Sequence, residues 1–241
     1  MTEHKLEVNG IRKQFGGKKI LNGISFNVGE GELVTLLGPS GCGKSTIMNI
    51  LTGILEADAG TIRVEGKIGY MQQKDLLLPW KTCMDNVILP DLLAGTAKEE
   101  AENRAKPFFT KFQLEGYERR YPNEMSGGMR QRASLLRTFL SSGDVLLLDE
   151  PFGAVDSITR GSLQQWLIGV SRELNLTILL ITHDIEEAVL LSDRILVLSD
   201  KPSRIRDEIL LAPAFGDEKK EDRQFDPVFL ELKKRILEDL R

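Results

Sequence analysis

The first third of the chain alternates apolar and polar residues in short runs broken by glycines, a pattern typical of short β-strands joined by turns. The runs are "KLEV" at 5–8, "KILNGISFNVGEGEL" at 19–33 and "GTIRVEGKIGYM" at 60–71. One segment departs from the alternation: "LVTLLGPSGCGKSTIMNILTG" at 33–53 is an apolar run, a glycine-rich loop and a helical pattern. It predicts a strand, a loop and a helix in direct succession.

The second half of the chain predicts strands that are buried on both faces. Residues 85–142 are polar and helical in pattern, and two continuous apolar runs follow them, "DVLLLDEP" at 144–151 and "LTILLITHD" at 176–184. Such runs are typical of central parallel strands that are covered on both sides. Between them, "QQWLIGVSREL" at 164–174 has helical periodicity. The order strand, helix, strand predicts an α/β architecture.

The C-terminal part of the chain predicts a charged connection and a final helix. After Pro213 the segment "FGDEKKEDRQ" at 215–224 is highly charged, and we expect it to be loose. In "DPVFLELKKRILEDLR" at 226–241, Asp226 is suited to cap a helix and Pro227 to its first position. We expect the helix to dock on its own core, with binding of a partner as the alternative. The apolar face consists of Phe229, Leu232, Ile236 and Leu240.

Composition narrows the function classes. The 241 residues are 41% hydrophobic, with 32 basic against 36 acidic residues and a net charge of −4. No basic block of the kind that binds nucleic acid is present, so we expect no nucleic-acid partner. Two separated cysteines, Cys42 and Cys83, make neither a disulfide framework nor a zinc cluster, which indicates a reducing cytoplasm. The N-terminus lacks an apolar signal core, and no segment approaches the roughly 20 apolar residues of a membrane span.

The loop "GPSGCGKST" at 38–46 fits the phosphate-binding pattern G-x-x-x-x-G-K-[ST] and lies between a predicted strand and a predicted helix. Its glycines allow the backbone to curl so that successive amides point at a phosphate. Lys44 brings a positive charge to the β- and γ-phosphates, Ser45 offers a hydroxyl to Mg²⁺, and Thr46 is placed near the α-phosphate. The predicted nucleotide-binding residues are Gly38, Pro39, Ser40, Gly41, Cys42, Gly43, Lys44, Ser45 and Thr46.

Three polar side chains follow the two buried strands. Asp149 and Glu150 end the first strand, and His183 ends the second. Ligand chemistry in open α/β sheets lies at such strand ends. Asp149 is suited to contact Mg²⁺ either directly or through another group that binds the ion, and Glu150, one residue further, is free to take a proton from an attacking water. His183 is predicted to hydrogen-bond the γ-phosphate and to position that water.

A second glycine-rich segment, "MSGGMRQR" at 125–132, opens a predicted helix. Bare amides at a helix start bind anions, so Ser126, Gly127 and Gly128 are candidates for phosphate contacts. However, this segment follows polar helical sequence and has no lysine that corresponds to Lys44. It cannot bind a nucleotide alone, but it could complete a site begun elsewhere.

Over nearly its whole length the chain resembles the ATP-binding-cassette (ABC) ATPases. Six motifs occur in that family's order: "GPSGCGKS", a glutamine after "IGYM", "MSGGMRQR", "VLLLDE", "GAVD" and "ITHD". The resemblance implies a P-loop NTPase (RecA-like) α/β core with an N-terminal antiparallel β subdomain and an inserted α-helical subdomain. It also implies a head-to-tail homodimer in which the SGG helix of one copy covers the ATP that is held by the P-loop of the other. The second glycine-rich segment is therefore expected to serve the partner's ATP.

Further roles follow from the resemblance by matching position. Phe15 lies where an aromatic residue stacks on adenine, although a core position is an alternative. Gln73 matches the glutamine that contacts Mg²⁺ and the attacking water, with Gln72 as the alternative register. Asp156 is expected to contact the other subunit. The family's usual Leu and Ser are replaced by Met125 and Gly153, and a Met in place of Leu preserves bulk.

The resemblance also divides the chain into a single ABC ATPase domain with several parts. We expect the nucleotide-binding core at 1–84 and 143–212, the helical subdomain at 85–142 and a C-terminal extension at 213–241.

Within the family, "YMQQKDLLLPWKTCMDNV" at 70–87 resembles ATPases that serve nitrate, sulfonate, taurine and thiamine-precursor importers. Leu76–Trp80 is apolar for a surface loop. It is expected either to dock a membrane subunit or to anchor the helical subdomain.

The implied function is ATP hydrolysis that drives uptake of a small solute. The implied partners are transmembrane permease subunits and, indirectly, a solute-binding protein, with the chain bound peripherally at the cytoplasmic face of the inner membrane. A soluble or exporter-associated ABC ATPase is the alternative. A kinase or GTPase would not explain the SGG helix.

Overall fold

Two β-sheets form the framework of the protein. The computed structural model describes residues 4–142, 144–153, 155–215 and 220–240. A three-stranded antiparallel sheet has the order β2-β1-β4, and a six-stranded sheet has the order β5-β6-β7-β3-β8-β9. The strands are β1 His4–Phe15, β2 Lys18–Gly29, β3 Leu33–Leu37, β4 Ala59–Val64, β5 Ile68–Met71, β6 Val145–Asp149, β7 Thr177–Thr182, β8 Arg194–Leu198 and β9 Ile205–Leu210.

The six-stranded sheet explains the apolar runs of the sequence. Its first five strands pair in parallel, and β9 pairs antiparallel with β8. In β6, Leu146 and Leu148 pack into a core on one face, whereas Val145 and Leu147 pack into a core on the other. Because both faces are covered, alternate residues are equally buried and the sequence shows no alternation.

The antiparallel sheet covers one face of the large sheet. Strand β1 extends to Phe15, well beyond the alternating run at 5–8, because a register shift between Val8 and Ile11 lets its pairing with β2 continue. The amide of Gly10 at this irregularity donates to Ser25 Oγ at 2.8 Å. Leu6, Val8 and Ile11 lie in the same core as helix α1.

Helices cover the remaining surfaces, and one group of them is inserted between β5 and β6. This group, α2 to α5, buries Phe109, Phe112 and Leu136 against the second face of the large sheet. None of the helices in the described ranges has the length and apolar run that crossing a bilayer requires. The helices are α1 Lys44–Leu51, α2 Cys83–Val87, α3 Leu89–Leu93, α4 Lys98–Lys111, α5 Gly127–Ser142, α6 Ser157–Glu173, α7 Ile185–Leu191, α8 Ala212–Phe215 and α9 Pro227–Asp239, with 3₁₀ helices at Pro122–Glu124 and Lys220–Phe225.

The C-terminal helix α9 docks on the protein's own core, against α7 and strand β8. Phe229, Leu232 and Ile236 are buried there, and Asp226 caps the helix by accepting from Val228 N at 2.8 Å. The connection before it differs from the loose segment that we expected. Residues 216–219 lie outside the described residues, but Arg223 is buried and its Nη1 donates to Ser192 O at 2.6 Å. A charged stretch is thus tied down by carbonyl acceptors that hydropathy does not reveal.

A single buried side chain holds the loop that enters the helical insertion. Asn86 is fully buried, and its Oδ1 accepts from Leu78 N at 2.7 Å. Its Nδ2 donates to the carbonyl oxygens of Leu78, Lys81 and Thr82 at 3.0–3.1 Å. One side-chain amide therefore contacts four backbone groups of the loop, with its two N–H hydrogens shared among the three carbonyls.

We expect Asn86→Asp to destabilise the fold by about 3 kcal/mol or more, because a carboxylate cannot donate to the three carbonyls and adds a buried charge. Urea unfolding measures the loss. The matched control is Asn103→Asp on the exposed face of α4, which should change the free energy of unfolding by no more than about 0.5 kcal/mol. Equal, small effects of both substitutions would contradict the role given to Asn86.

Candidate active site

The phosphate-binding loop joins the fully buried strand β3 to helix α1. Lys44, the first residue of α1, is only 6% exposed, and its Nζ donates to Gly38 O at 2.6 Å and Pro39 O at 2.9 Å. Gly43 has φ +122°, and a Cβ there would lie 2.9 Å from Leu21 Cδ2. The loop therefore needs glycine at this position both for its backbone angle and for its contact with β2.

The other residues of the loop differ in exposure. Ser40, Gly41 and Ser45 are exposed, and Pro39 and Thr46 are half-buried. Cys42 is only 1% exposed, because its side chain packs in the apolar core below the loop. The thiol is therefore a filler of that core.

A tyrosine supports the first carboxylate. Asp149 ends β6, and Tyr70 on the neighbouring strand β5 donates its hydroxyl to Asp149 Oδ2 at 3.2 Å. The pKa of Asp149 lies above its ordinary value, chiefly because of burial and also because of the charge of Glu150, while the Tyr70 hydrogen bond and the charge of Lys44 oppose the rise. Burial and the nearby Asp149 raise the pKa of Tyr70 to about 12, so the phenol remains a donor. Sequence reasoning missed Tyr70, since only the pairing of β5 with β6 brings it beside Asp149.

The second carboxylate, Glu150, lies at the centre of a contact between three elements. Its backbone leaves β6 at φ +45°, and its amide donates to Ile181 O of β7 at 2.9 Å. Gln73 Nε2 donates to Glu150 Oε2 at 3.1 Å, and His183 Nδ1 lies 2.9 Å from Glu150 Oε1. Because a carboxylate only accepts, Nδ1 carries the proton in this arrangement. Of the two glutamines considered, Gln73 is thus the one that contacts Glu150.

Two further predicted residues lie apart from this group. Phe15 ends β1 and is 48% exposed, with Lys13 Nζ 5.5 Å from its ring centroid, so it is not part of the core. Asp156 is exposed and caps α6, where its Oδ1 accepts from Thr159 N at 3.1 Å.

The second glycine-rich segment forms the N-terminus of α5. Ser126 Oγ accepts from Met129 N at 3.2 Å, and the helix begins at Gly127. The two glycines differ in how much room a side chain would have at their positions. A Cβ at Gly128 would lie 2.7 Å from Thr159 Cγ2 of α6, whereas Gly127 meets nothing closer than 3.9 Å. Gly128 is therefore required by helix packing, whereas a Cβ at Gly127 would make no close contact with the described residues.

The loop that carries Gln73 is fastened to α5 by two arginines. Arg130 Nε donates to Asp75 Oδ2 at 3.0 Å, and Arg137 donates to the carbonyls of Asp75 and Leu76 at 2.7 and 3.0 Å. Sequence reasoning did not predict these contacts, because the partners are more than fifty residues apart. They join the Gln73 loop to the helix that begins with the SGG segment.

The sequence of Leu76–Trp80 allowed two interpretations, an anchor for the helical subdomain or a docking surface for a membrane subunit. Different residues of the stretch agree with each of them. Leu77 is 8% exposed and packs in the core with the helical insertion. Trp80 is 71% exposed and Leu76 is 49% exposed. Leu77 therefore anchors the loop, while Trp80 presents a large apolar side chain to the surface.

A phosphate-binding loop, a carboxylate pair and a histidine at the ends of neighbouring parallel strands define a nucleotide-binding ATPase cassette. The sequence profile described as ABC transporter matches residues 21–153, more than half of the chain, and the protein belongs to this family.

Relatives in the family agree with this assignment. The chain is 47% identical over 196 residues to the formylaminopyrimidine import ATP-binding protein ThiZ of Halalkalibacterium halodurans, which covers 80% of this chain and 79% of the relative. It is 37% identical over 243 residues to the taurine import ATP-binding protein TauB of Escherichia coli, covering 96% and 95%.

Solved structures share the fold. The dimeric structure of MJ0796, a bacterial ABC transporter cassette, has 28% identity and a TM-score of 0.72, and the match covers 86% of this chain and 98% of that one. The same cassette has been solved in a post-hydrolysis state bound to ADP and Pi. The cassette CbiO1 of Clostridium perfringens matches 98% of both chains with a TM-score of 0.79 at 24% identity, which supports the fold alone.

The burial of Cys42 predicts slow thiol chemistry. Cys83 is also fully buried, and burial raises its pKa to about 12. In the folded protein both thiols should react with a maleimide at least about 100-fold more slowly than in urea, since an opening that costs about 3 kcal/mol attenuates the rate by that factor. Mass spectrometry over time measures the labelling, and unfolded protein should take up two labels. Immediate labelling of Cys42 in the folded protein would contradict the burial described.

Proposed function

We propose that this chain is the ATP-binding and ATP-hydrolysing subunit of an importer for a small solute. The single observation that carries the proposal is the Glu150 carboxylate, which Gln73 and His183 hold at the strand ends beside the phosphate-binding loop. The import roles in the names of the ThiZ and TauB relatives support the direction of transport. They point to taurine- or pyrimidine-precursor-like cargo, in the wider group that includes nitrate and sulfonate importers.

The loop at 38–46 binds the phosphates of ATP in this proposal. In ATP binding, the Lys44 ammonium exchanges the carbonyls of Gly38 and Pro39 for β- and γ-phosphate oxygens, which compensate its charge better. The backbone amides of Ser40 to Thr46 line the phosphates, and Phe15, being exposed, is free to stack on adenine.

The residues present fit a magnesium ion. Ser45, Gln73 and Asp149 offer hydroxyl, amide and carboxylate oxygens, the hard ligands that Mg²⁺ prefers. We propose that these three side chains hold the ion, with Tyr70 orienting Asp149. When bound, Mg²⁺ neutralises charge on the β- and γ-phosphates.

For hydrolysis, we propose that Glu150 accepts a proton from the attacking water as its oxygen approaches the γ-phosphate. Gln73 and His183 each hold one carboxylate oxygen, so the base has a defined direction. His183 Nδ1 faces Glu150, so Nε2 is the ring nitrogen that is left to contact the γ-phosphate. A hydrogen bond from Nε2 to a phosphate oxygen requires a proton on Nε2 as well as on Nδ1, because phosphate oxygens only accept. Bond cleavage yields ADP and phosphate.

The proposed working unit is a head-to-tail homodimer. The N-terminal amides of α5 at Gly127 and Gly128 suit a γ-phosphate that the other copy holds, and Gly127 adds no side chain that would crowd it. Asp156, exposed at the start of α6, is proposed to contact the partner. The dimeric arrangement of the related MJ0796 cassette supports this assembly. Closure around ATP would then transmit force to other subunits.

We propose that permease subunits dock beside Trp80 and that they hold the chain at the cytoplasmic face of the inner membrane. A solute-binding protein would deliver the cargo to the permease without touching this chain. Exposed aromatic side chains are frequent anchors at interfaces, which supports the docking role of Trp80 over a purely internal one.

Replacing Glu150 by Gln tests the proposed base. The change keeps the shape of the side chain but removes the proton acceptor, so we expect ATP turnover to fall by about 10²–10⁴-fold and an ATP-bound dimer to accumulate. A phosphate-release assay and size-exclusion chromatography with ATP measure both effects. The control is Glu99→Gln on exposed α4, which should behave as the wild type. Hydrolysis by the Glu150 variant at the wild-type rate would refute the assignment.

Replacing Trp80 by Ala tests the docking of a permease. Loss of an aromatic anchor typically costs about 2 kcal/mol, or roughly 30-fold in affinity, while ATP turnover by the isolated chain should not change. The measurement is the amount of polytopic membrane protein that co-purifies from detergent-solubilised membranes of the native host. Phe225→Ala is the control, because Phe225 is 79% exposed but lies before the C-terminal helix. Equal recovery with both variants would contradict docking at Trp80.

A further inference from the structure

A buried carboxylate, Glu187, follows His183 by four residues along the chain. It belongs to helix α7 and is only 5% exposed. Its Oε2 accepts from Thr182 Oγ1 at 2.7 Å, and its Oε1 accepts from Gln164 Nε2 at 3.3 Å. Burial raises the pKa of this carboxyl, and the Thr182 hydrogen bond is the largest effect that opposes it. Packing alone does not explain a carboxylate at this buried position, because an apolar side chain would fill the space without the cost of desolvating a charge.

The contacts of Glu187 fix the backbone on both sides of His183. Thr182 Oγ1, which donates to Glu187, also accepts from Asp184 N at 3.0 Å. Asp184 Oδ1 in turn accepts from the amides of Glu186 and Glu187 at 2.8 and 3.2 Å. The His183 side chain itself is 55% exposed, so packing holds its ring only weakly. Its direction therefore depends on the segment that carries it.

The other end of the network lies on helix α6. Gln164, which is 8% exposed, connects Glu187 to this helix, and Arg160 lies one turn earlier with its Nη1 3.7 Å from Asp184 Oδ2. Helix α6 begins directly after Asp156. Two contacts thus join the His183 segment to helix α6. The contact between Glu187 and Gln164 is buried, and the contact between Asp184 and Arg160 is more exposed.

We propose that Glu187 is a positioning residue that keeps His183 at hydrogen-bonding distance from Glu150 by tying Thr182 to helix α6. This inference rests on the role proposed above for His183. Without the carboxylate, the Thr182 hydroxyl and the Gln164 amide lose their buried acceptor. The segment that carries His183 is then no longer held to helix α6 through Glu187, and it shifts. A displacement of about 1 Å in a catalytic group lowers turnover by as much as about 100-fold.

The test compares Glu187→Ala with Glu186→Ala, its neighbour on the same helix. Glu186 is exposed, and its carboxylate contacts Lys233 on α9. We expect Glu187→Ala to lower kcat by about 10- to 100-fold with the KM for ATP little changed, and Glu186→Ala to retain wild-type turnover. Wild-type kcat in the Glu187 variant, or an equal loss in both variants, would overturn the proposal.

A second readout separates positioning from a general loss of stability. If Glu187 acts through His183, the double variant Glu187→Ala/His183→Ala should be no slower than His183→Ala alone. Losses that multiply would overturn the proposal. Wild-type turnover in His183→Ala would instead refute the role of His183, whereas a slow His183→Ala beside a fast Glu187→Ala would refute Glu187 alone.

Two milder variants apply if Glu187→Ala does not fold. Glu187→Gln keeps an oxygen that can accept from the Thr182 hydroxyl, and we expect it to recover most of the turnover. Thr182→Val keeps the shape of Thr182 but lacks the hydroxyl, and we expect a loss of about 10- to 100-fold. Wild-type turnover in Thr182→Val would overturn the proposal.

Discussion

The parallel pairing of β6 with β7 is the constraint on which the site depends. Five consecutive residues of β6 pair with β7, and the hydrogen bond from Glu150 N to Ile181 O extends the connection beyond the last pair. This bond sets the turn at Glu150, where φ is positive. The carboxylate then points at His183, which follows β7 by one residue. The shared register of two buried strands therefore determines where the Glu150 carboxylate lies.

A second set of contacts relates this site to the rest of the molecule. Gln73 contacts Glu150, while the next residues of the same loop are held by Arg130 and Arg137 of helix α5. That helix begins with the SGG segment. Polar side chains therefore connect the start of α5 to the Glu150 carboxylate, through Arg130, Asp75 and the loop that carries Gln73. Asn86 of α2 holds the far end of the loop, so hydrogen bonds join the loop to the helical insertion on both sides.

Much of the fold and the main site groups could be predicted from the sequence, because both follow local rules. The apolar runs before Asp149 and His183 indicated central strands, and the loop at 38–46 carries its own signature. The supporting residues could not be predicted. Tyr70 and Glu187 act across strand and helix pairings that no local pattern reveals. The anchoring of Arg223 could not be predicted either, because its acceptors are backbone carbonyl groups, which every residue has.

The alternate burial in β6 has a consequence for how this protein tolerates change. Val145 and Leu147 belong to the core beneath the antiparallel sheet, whereas Leu146 and Leu148 belong to the core of the helical insertion. The same five-residue strand ends at Asp149, and Glu150 follows it directly. Loosening either core therefore shifts the same two carboxylates, so the two halves of the molecule cannot change in sequence independently of each other. Substitutions in distant parts of the two cores should be correlated over evolutionary time, with β6 as the element that they share.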